Sequence, residues 1–340
     1  MLSLPIDVTQ VFAEFRTCEF TTLNRRHVPV TWPTLPFYDQ ANGEFVITTS
    51  IALTDKVANV RRNPCVALLY SDPTASALNS PPMVLIEGRA TAPDEILTSI
   101  RGSEEALAQV FQRQPNSAIY SSNALMRYFF DWYYMRLVMR IKPVRIRWWP
   151  GADLSQPAQV WMPATVPESG PPPSDELPTA APGPVWDSID RHLPRFSTGV
   201  VTCLGTSGYP ASTRCTPRRD GRVAIVLEGG AVDMLCAGPA SLLCHRHDHA
   251  LWNLYALQLQ GWLAYEDLAW RFYPRRFLPG QGADGPLGLL KFALRARRNA
   301  ARYLAQRNLP RPTIPWDEII AVKTRALGPK GTQPRVGPGA

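Results

Sequence analysis

The sequence predicts a mainly β fold with flanking helices, an α+β arrangement of two small β domains in tandem. Three observations lead there. The first is that the chain repeats its own plan. TTLNRRHVPVTWP near residue 20 is echoed by VTCLGTSGYPASTRCTP near residue 200, each an apolar run, a turn, a proline and a second alternating run. The echo continues in order: VITTS (46–50) with VAIVLE (223–228), NPCVALLYSD (63–72) with GPASLLCHRH (238–247), VLIEGRA (84–90) with LQLQGWLA (257–264). Pro29 and Pro210 are 181 positions apart, Pro64 and Pro239 are 175, Gly88 and Gly261 are 173, so the loops change length while the plan holds. A period this long indicates a repeated domain, not a solenoid of small units. The second observation is that the apolar runs are short and bounded by Asn, Gly, Pro and Asp, the pattern of an antiparallel sheet. The third is a proline-rich break between the copies.

Residues 1–150 make the first domain. VPVTWPTLPFYD is partly extended, and ANGE (41–44) turns the chain into FVITTS. TDKVANVRR (54–62) reads as a short helix, with Thr54 able to cap it, Val57 and Val60 on one face, and Asn63-Pro64 as its stop. CVALLYSD and PMVLIEGRA read as buried strands. SEEALAQVFQRQ (103–114) is a helix with Ser103 as N-cap and two acids in its first turn. SNALMRYFFDWYYMRLV is expected to be helical or partly helical, an aromatic-rich segment that either fills the groove between barrel and helix or walls a pocket for a flat ring. IKPVRIRWW (141–149) alternates as a closing strand.

Residues 151–184 are expected to be a linker. Repeated prolines remove donors and hold a chain extended, so this stretch should act as a semi-rigid spacer long enough to let the two domains meet within one chain, with Trp161 and Met162 able to pin part of it to a domain surface. Residues 185–323 make the second domain: a helix in VWDSIDRHL, four or five β runs to about 264, and a long helix in PLGLLKFALRARRNAARYLAQRN (286–308). TIPWDEIIAVKTRA is expected to return as a last strand. Residues 324–340 are expected to be a frayed tail.

The 340 residues are 45% hydrophobic, enough for two cores. Lys and Arg exceed Asp and Glu by 36 − 28 = 8, which suits anionic ligands. No recognition-helix pattern or zinc-finger spacing accompanies that charge, so nucleic acid is not an expected partner. The six cysteines form no CxxC pair and sit mostly in apolar runs, where a reduced thiol behaves as a small hydrophobe. The N-terminus lacks a basic region followed by an apolar core, and segment 127–141 is too short and too charged to span a bilayer. A cytoplasmic location without stable membrane insertion is expected.

Taken together, TLNRRHVPVTWPT, GEFVITTS, TDKVANVRRNPCVALLYSD and MVLIEGRA, in this order, resemble the pyridoxamine 5'-phosphate oxidase-like family, the flavin-binding split barrels. The resemblance covers about residues 12–150 and recurs more weakly over 190–323. It implies tandem six-stranded split β-barrels with flanking helices, and FMN, or the deazaflavin F420, held where two barrels pack. Family members are commonly homodimers. A chain with two copies can make that pairing internally as a pseudo-dimer, with homodimerisation still open.

By similarity, the strand end and the lysine after it grip the cofactor phosphate, a role that falls on Thr48, Thr49, Ser50 and Lys56. Hydroxyls and helix-start N–H groups suit a phosphate chemically. The same letters also suit a β-branched strand followed by a solvated helix. Arg25 and Arg26 are either a soluble hairpin turn or bidentate partners for a phosphate. Gly88 and Gly261 mark close approach of a ligand or a strand, and Glu87 and Arg89 can pair. The second copy lacks TTS, the Lys and the short helix, so one cofactor site per chain is expected. Arg214, Arg218 and Arg219, in what reads as the basic turn TRCTPRRDG, are either its second wall or a solvent-facing hairpin.

CHRHDH (244–249) admits a metal, but three alternate strand residues lie too far apart to bind one ion without a bend. The histidines are either surface or interface residues or a cofactor contact, for which His245 and Trp252 are the best placed, Trp252 for its flat face, and Trp252 equally suits a core packing position. No catalytic triad, paired-carboxylate dyad or Walker loop is present. That absence fits a protein whose chemistry, if any, belongs to its cofactor. The sequence thus points to an FMN- or F420-dependent oxidoreductase acting on a small molecule. The alternatives are a non-enzymatic flavin- or haem-binding or storage protein, and a structural barrel pair that has lost its site.

Overall fold

The computed structural model describes residues 4–99, 104–162, 183–249, 251, 254–280 and 285–328. The first half runs α1 (Ile6–Glu14), β1 (Cys18–Leu23), β2 (Pro29–Thr34), β3 (Phe37–Asp39), β4 (Glu44–Ser50), α2 (Asp55–Arg62), β5 (Cys65–Tyr70), β6 (Met83–Thr91), α3 (Glu104–Arg113), α4 (Ala124–Phe130), β7 (Arg136–Trp149) and β8 (Gln159–Trp161). The second runs α5 (Gly183–His192), β9 (Gly199–Leu204), β10 (Pro210–Asp220), β11 (Ala224–Glu228), β12 (Gly238–Arg246), β13 (Tyr255–Glu266), β14 (Ala269–Pro279), α6 (Gly285–Ala305) and α7 (Trp316–Leu327).

The fold is α+β and matches split-barrel architecture. The first sheet has the order β2-β1-β5-β6-β7-β4-β3 with β8 added to β7. The second closes as β10-β11-β14-β13-β12-β9. Read from β10 through β9 and β12, the second order is the first one over again. The difference is one interruption. β10 pairs with β9 through Pro210–Cys215 and continues into a pairing with β11 from Thr216 to Asp220. In the first half that span is divided between β2, which pairs with β1, and β3, which pairs with β4. Pro33 and Pro36 flank the break and remove two ladder donors.

The barrels pack on each other with exchanged roles. β2 lies against β9, β12 and β13, and β10 lies against β1, β5 and β6. Strands at this seam are therefore buried on both faces. In β1, Cys18 and Phe20 enter the first core while Glu19 and Thr21 face the second barrel. In β9, Val201 and Cys203 enter the second core, whereas Val200 joins Ala67, Leu69, Met83, Leu85 and Trp149 in an apolar seam.

Several expectations need correcting. Trp316–Leu327 is helical, not a last strand: Ile319 and Val322 are buried at helical spacing, and Asp317 and Glu318 occupy the first turn. The strand closing the second barrel is β14 instead. Helix α6 forms as expected, but Ala293, Ala296, Ala300, Tyr303 and Leu304 pack into the first core, and α7 joins them there. The chain thus returns to its first barrel. Thr324–Leu327, expected to fray, continue α7. The aromatic segment is partly helical, one of the two forms expected, with its α-helix ending at Phe130. A 3₁₀ turn follows, and β7 begins at Arg136 because Leu137, Met139 and Ile141 alternate into the core opposite β4. Gln159–Trp161, within the expected linker, pair with β7, and Met162 contacts Arg145, so this aromatic spot is pinned to the first sheet as the sequence allowed. TRCTPRRDG is strand, not turn. Ser103, residues 163–182 of the linker and residues 329–340 of the tail lie outside the described residues.

Candidate functional site

The β4–β7 pair sets the site. Its inner face carries Phe45, Ile47, Leu137, Met139 and Ile141, so by alternation Val46, Thr48, Arg136, Val138 and Arg140 face outward. Across that outer face lie β3, residues 93–99, α3, Tyr133, Tyr134 and Ile319 of α7. Together they enclose a cleft of about 710 Å³, within the range typical of small-molecule sites.

Arg136 dominates its floor. Its Nε and Nη2 donate to Thr48 Oγ1 at 3.1 and 2.8 Å, Nη2 also reaches Thr48 O at 2.9 Å, and Nη1 donates to Tyr133 O at 3.2 Å. The guanidinium lies 5.0 Å from the Tyr133 ring centre. Among the described residues no carboxylate forms an ion pair with it. Burial lowers its pKa from the ordinary arginine range, yet arginine stays charged at neutral pH. Arg140, at the far side, lies 3.8 Å from Glu44.

Of the candidate phosphate and cofactor contacts among the described residues, Thr48 alone lines this cleft, and the aromatic segment adds Tyr133 and Tyr134 to its wall. Thr49 Oγ1 donates to Leu53 O at 3.1 Å. Ser50 Oγ donates to Trp132 O at 2.6 Å and accepts from Ala52 N at 3.1 Å. Those hydroxyls tie the end of β4 to its own turn and to the 3₁₀ turn at Asp131–Tyr134. Lys56 is half-buried and makes no hydrogen bond or ion pair among the described residues. Burial lowers its pKa from 10.5 to about 8, Asp55 opposes that shift, and the charge of Arg136 adds to it. Arg25 and Arg26 are exposed in the β1–β2 turn, which Asn24 Oδ1 organises by accepting from the N–H groups of Arg26 and Val28. Trp252 lies outside the described residues.

His245 is fully enclosed at the barrel seam, far from solvent. Its Nε2 is 2.8 Å from Glu19 Oε1, which also accepts from Arg214 Nη2 at 2.8 Å, while Glu19 Oε2 accepts from Ser71 Oγ at 3.0 Å. Arg214 further donates to Ser71 Oγ and Thr198 Oγ1. His247 stacks near His245 and contacts Thr17 Oγ1 at 3.2 Å. Next to this group runs a row of hydroxyls from both barrels: Thr21 to Thr31 at 2.8 Å, Thr31 to Thr202 at 3.3 Å, Thr202 to Ser212 at 2.9 Å. Arg218 and Arg219 pair with Glu228 and Asp190. Glu87 pairs with Arg145 and Arg147, not Arg89. Among the described residues no three His, Cys, Asp or Glu side chains gather as a metal site, and no helix is long and apolar enough to cross a membrane.

Sequence reasoning missed Arg136 and the α3 wall. The available signal was the run Arg136, Arg140 and Lys142, charged residues on the face opposite the core residues Leu137, Met139 and Ile141, which marks an outward strand face. Nothing local announces that α3 covers that face.

No family model matches the chain and no curated protein is similar to it. Solved structures do resemble it in part. A conserved hypothetical protein from Mycobacterium tuberculosis is 21% identical over 48% of this chain and 95% of that one, with a TM-score of 0.31. A protein related to general stress protein 26, of the pyridoxinephosphate oxidase family, from Clostridium acetobutylicum, is 11% identical over 46% and 92%, with a TM-score of 0.31. HutZ, the heme storage protein from Vibrio cholerae, is 13% identical over 42% and 91%, with a TM-score of 0.29. Each of these proteins is matched over nearly its whole length by less than half of this chain.

Proposed function

We propose that the chain is a tandem split-barrel protein, its barrels a pseudo-dimer within one chain, that binds one phosphorylated flavin-type cofactor, FMN or F420, in the cleft of the first barrel. The observation that carries this is Arg136 on the cleft floor, hydrogen-bonded to Thr48 and, among the described residues, ion-paired with no carboxylate. Lys56 does not line the cleft but is near enough for its charge to act on that of Arg136, and a phosphate held by Arg136 would relieve that repulsion through charge-assisted hydrogen bonds. Tyr38, Tyr133 and Tyr134 offer apolar faces for a planar ring. No equivalent of Lys56 exists in the second copy, which supports one site per chain.

When bound, either cofactor supplies two-electron hydride chemistry. The residues here would bind, orient and shelter it. Arg136 would hold the anionic end, and α3 with α7 would limit water. The protein is then an oxidoreductase acting on a small molecule, and the buried free thiols fit a reducing, cytoplasmic setting.

A second reading has its own observation. Thr49 and Ser50 spend their hydroxyls on the backbone, and the seam between the barrels is filled by side chains. That supports a structural barrel pair whose site has been lost. Titration with FMN, F420, riboflavin and haem, followed by absorbance, separates the readings. Arg136→Met should weaken FMN by ~10- to 100-fold, as loss of one or two charged hydrogen bonds predicts, and leave riboflavin unchanged. Absence of binding by any flavin would support the structural reading, and a Soret band would support haem storage.

A further inference from the structure

We propose that Cys203 and Cys236 are a peroxide-reactive thiol pair that closes reversibly to a disulfide in the second barrel. The pair shares no residue with the cleft, and its behaviour does not depend on the cofactor reading.

All six cysteines are unbridged. Cys18, Cys65, Cys215 and Cys244 are buried, and burial raises the pKa of each thiol. Cys236 differs. It is partly exposed, between the turn at Val232–Met234 and β12. Its N–H donates to Cys203 Sγ at 3.2 Å. Given an N–Cα bond of ~1.46 Å, the Cα of Cys236 is then within ~4.7 Å of that sulfur, close enough for a disulfide with only local adjustment. The neighbouring Cys203 thiol and the Thr206 backbone lower the pKa of Cys236. Cys203, inside the barrel, is raised by the neighbouring Cys236 thiol and by burial. The result is an outer thiolate able to attack and an inner thiol able to resolve.

The step balances with a hydroperoxide as oxidant. The Cys236 thiolate attacks the terminal peroxide oxygen, the O–O bond breaks, and the leaving alkoxide takes a proton as the alcohol. Cys236 becomes a sulfenic acid. Cys203 then attacks the Cys236 sulfur, the S–O bond breaks, and the departing hydroxide leaves as water with the Cys203 proton. Two thiols lose two electrons and the peroxide gains them. The bond would tie β9 to a segment whose Ala231 and Met234 pack in the seam against the first barrel, so oxidation would brace that seam.

The test treats the full native chain with hydrogen peroxide and follows intact mass and peptide maps. The expected product has lost two hydrogens, carries a Cys203–Cys236 cross-link, leaves the other four thiols free, and is restored by dithiothreitol. Cys203→Ser should leave a Cys236 sulfenate that dimedone labels, and Cys236→Ser should abolish both cross-link and label. If Cys203→Ser does not fold, the parent chain and Cys236→Ser still decide. A native chain that keeps both thiols reduced, links a different pair, or is over-oxidised at Cys236 without forming the cross-link would overturn the proposal.

Discussion

Lys56 sits between opposed influences: burial disfavours its charge, Asp55 favours it, and Arg136 disfavours it again. The consequence for stability has a definite sign. Between about pH 8, where the folded chain releases this proton, and 10.5, where the unfolded chain does, the unfolded state holds more protons and stability rises with pH. Below that window the full burial penalty applies. Lys56→Met should therefore be more stable than the parent at pH 7, by about 1–2 kcal/mol once the ammonium's remaining solvent contact is discounted. At pH 10.5 that gain should largely vanish. Thermal unfolding of both proteins at the two pH values checks this. An equal gain at both would trace to packing, not to the buried charge. The same variant should bind FMN more weakly than the parent, so it would trade ligand affinity for stability, as binding sites often do. Glu19 shows the other resolution of a buried charge. It is enclosed, but Arg214, His245 and Ser71 surround it, and it serves the seam.

At the scale of elements, the repeated glycines explain themselves. Gly88 and Gly261 each sit at a register shift between the two long strands of their barrel, β6 against β7 and β13 against β14. A β-bulge bends the sheet there, and the strands approach too closely for a side chain. A methyl at Gly261 would strike the backbone carbonyl of Tyr273, which cannot move cheaply, whereas at Gly88 the nearest obstacle is the Ile141 side chain. Gly261→Ala should thus cost about 2–3 kcal/mol and Gly88→Ala less, in line with other overpacked sites. Denaturant melts of both variants would test the order, and a reversal would remove the backbone clash as the cause. These positions were legible in the sequence because a repeated glycine in a repeated alternating run leaves a local mark. The strands were legible for the same reason. α7 was not, because DEIIAVK carries apolar residues that satisfy either a two-residue or a helical period. Thr49 and Ser50 were ambiguous in kind: a hydroxyl that can hold a phosphate can equally hold a backbone carbonyl. The Glu19–Arg214 pair joins residues 195 positions apart, and the cleft brings α3 over β4 and β7. Only the tertiary packing creates these juxtapositions.

For the whole molecule, the important fact is that the two halves are interleaved as well as adjacent. Their barrels share a seam of Ala67, Leu69, Met83, Val200 and Ala231, with the Glu19 cluster and the hydroxyl row beside it. The chain also sends α6 and α7 back to the first core. Arg297 and Arg311 bind Asp131, and Arg307 binds Asp94, fastening that return at its polar margin. The covalent connection between barrels is therefore not what holds them together. A protease site engineered within residues 163–182 and cut after folding should leave two pieces that elute as one particle and melt together. The second piece expressed alone should instead aggregate, because Ala293, Ala296, Ala300 and Tyr303 would present an apolar face with no first barrel to cover it. Gel filtration of the cut protein at low micromolar concentration decides the matter. Separation into two independently soluble halves would show that the seam and the returning helices contribute too little to hold the barrels, and that their pairing depends on the chain between them.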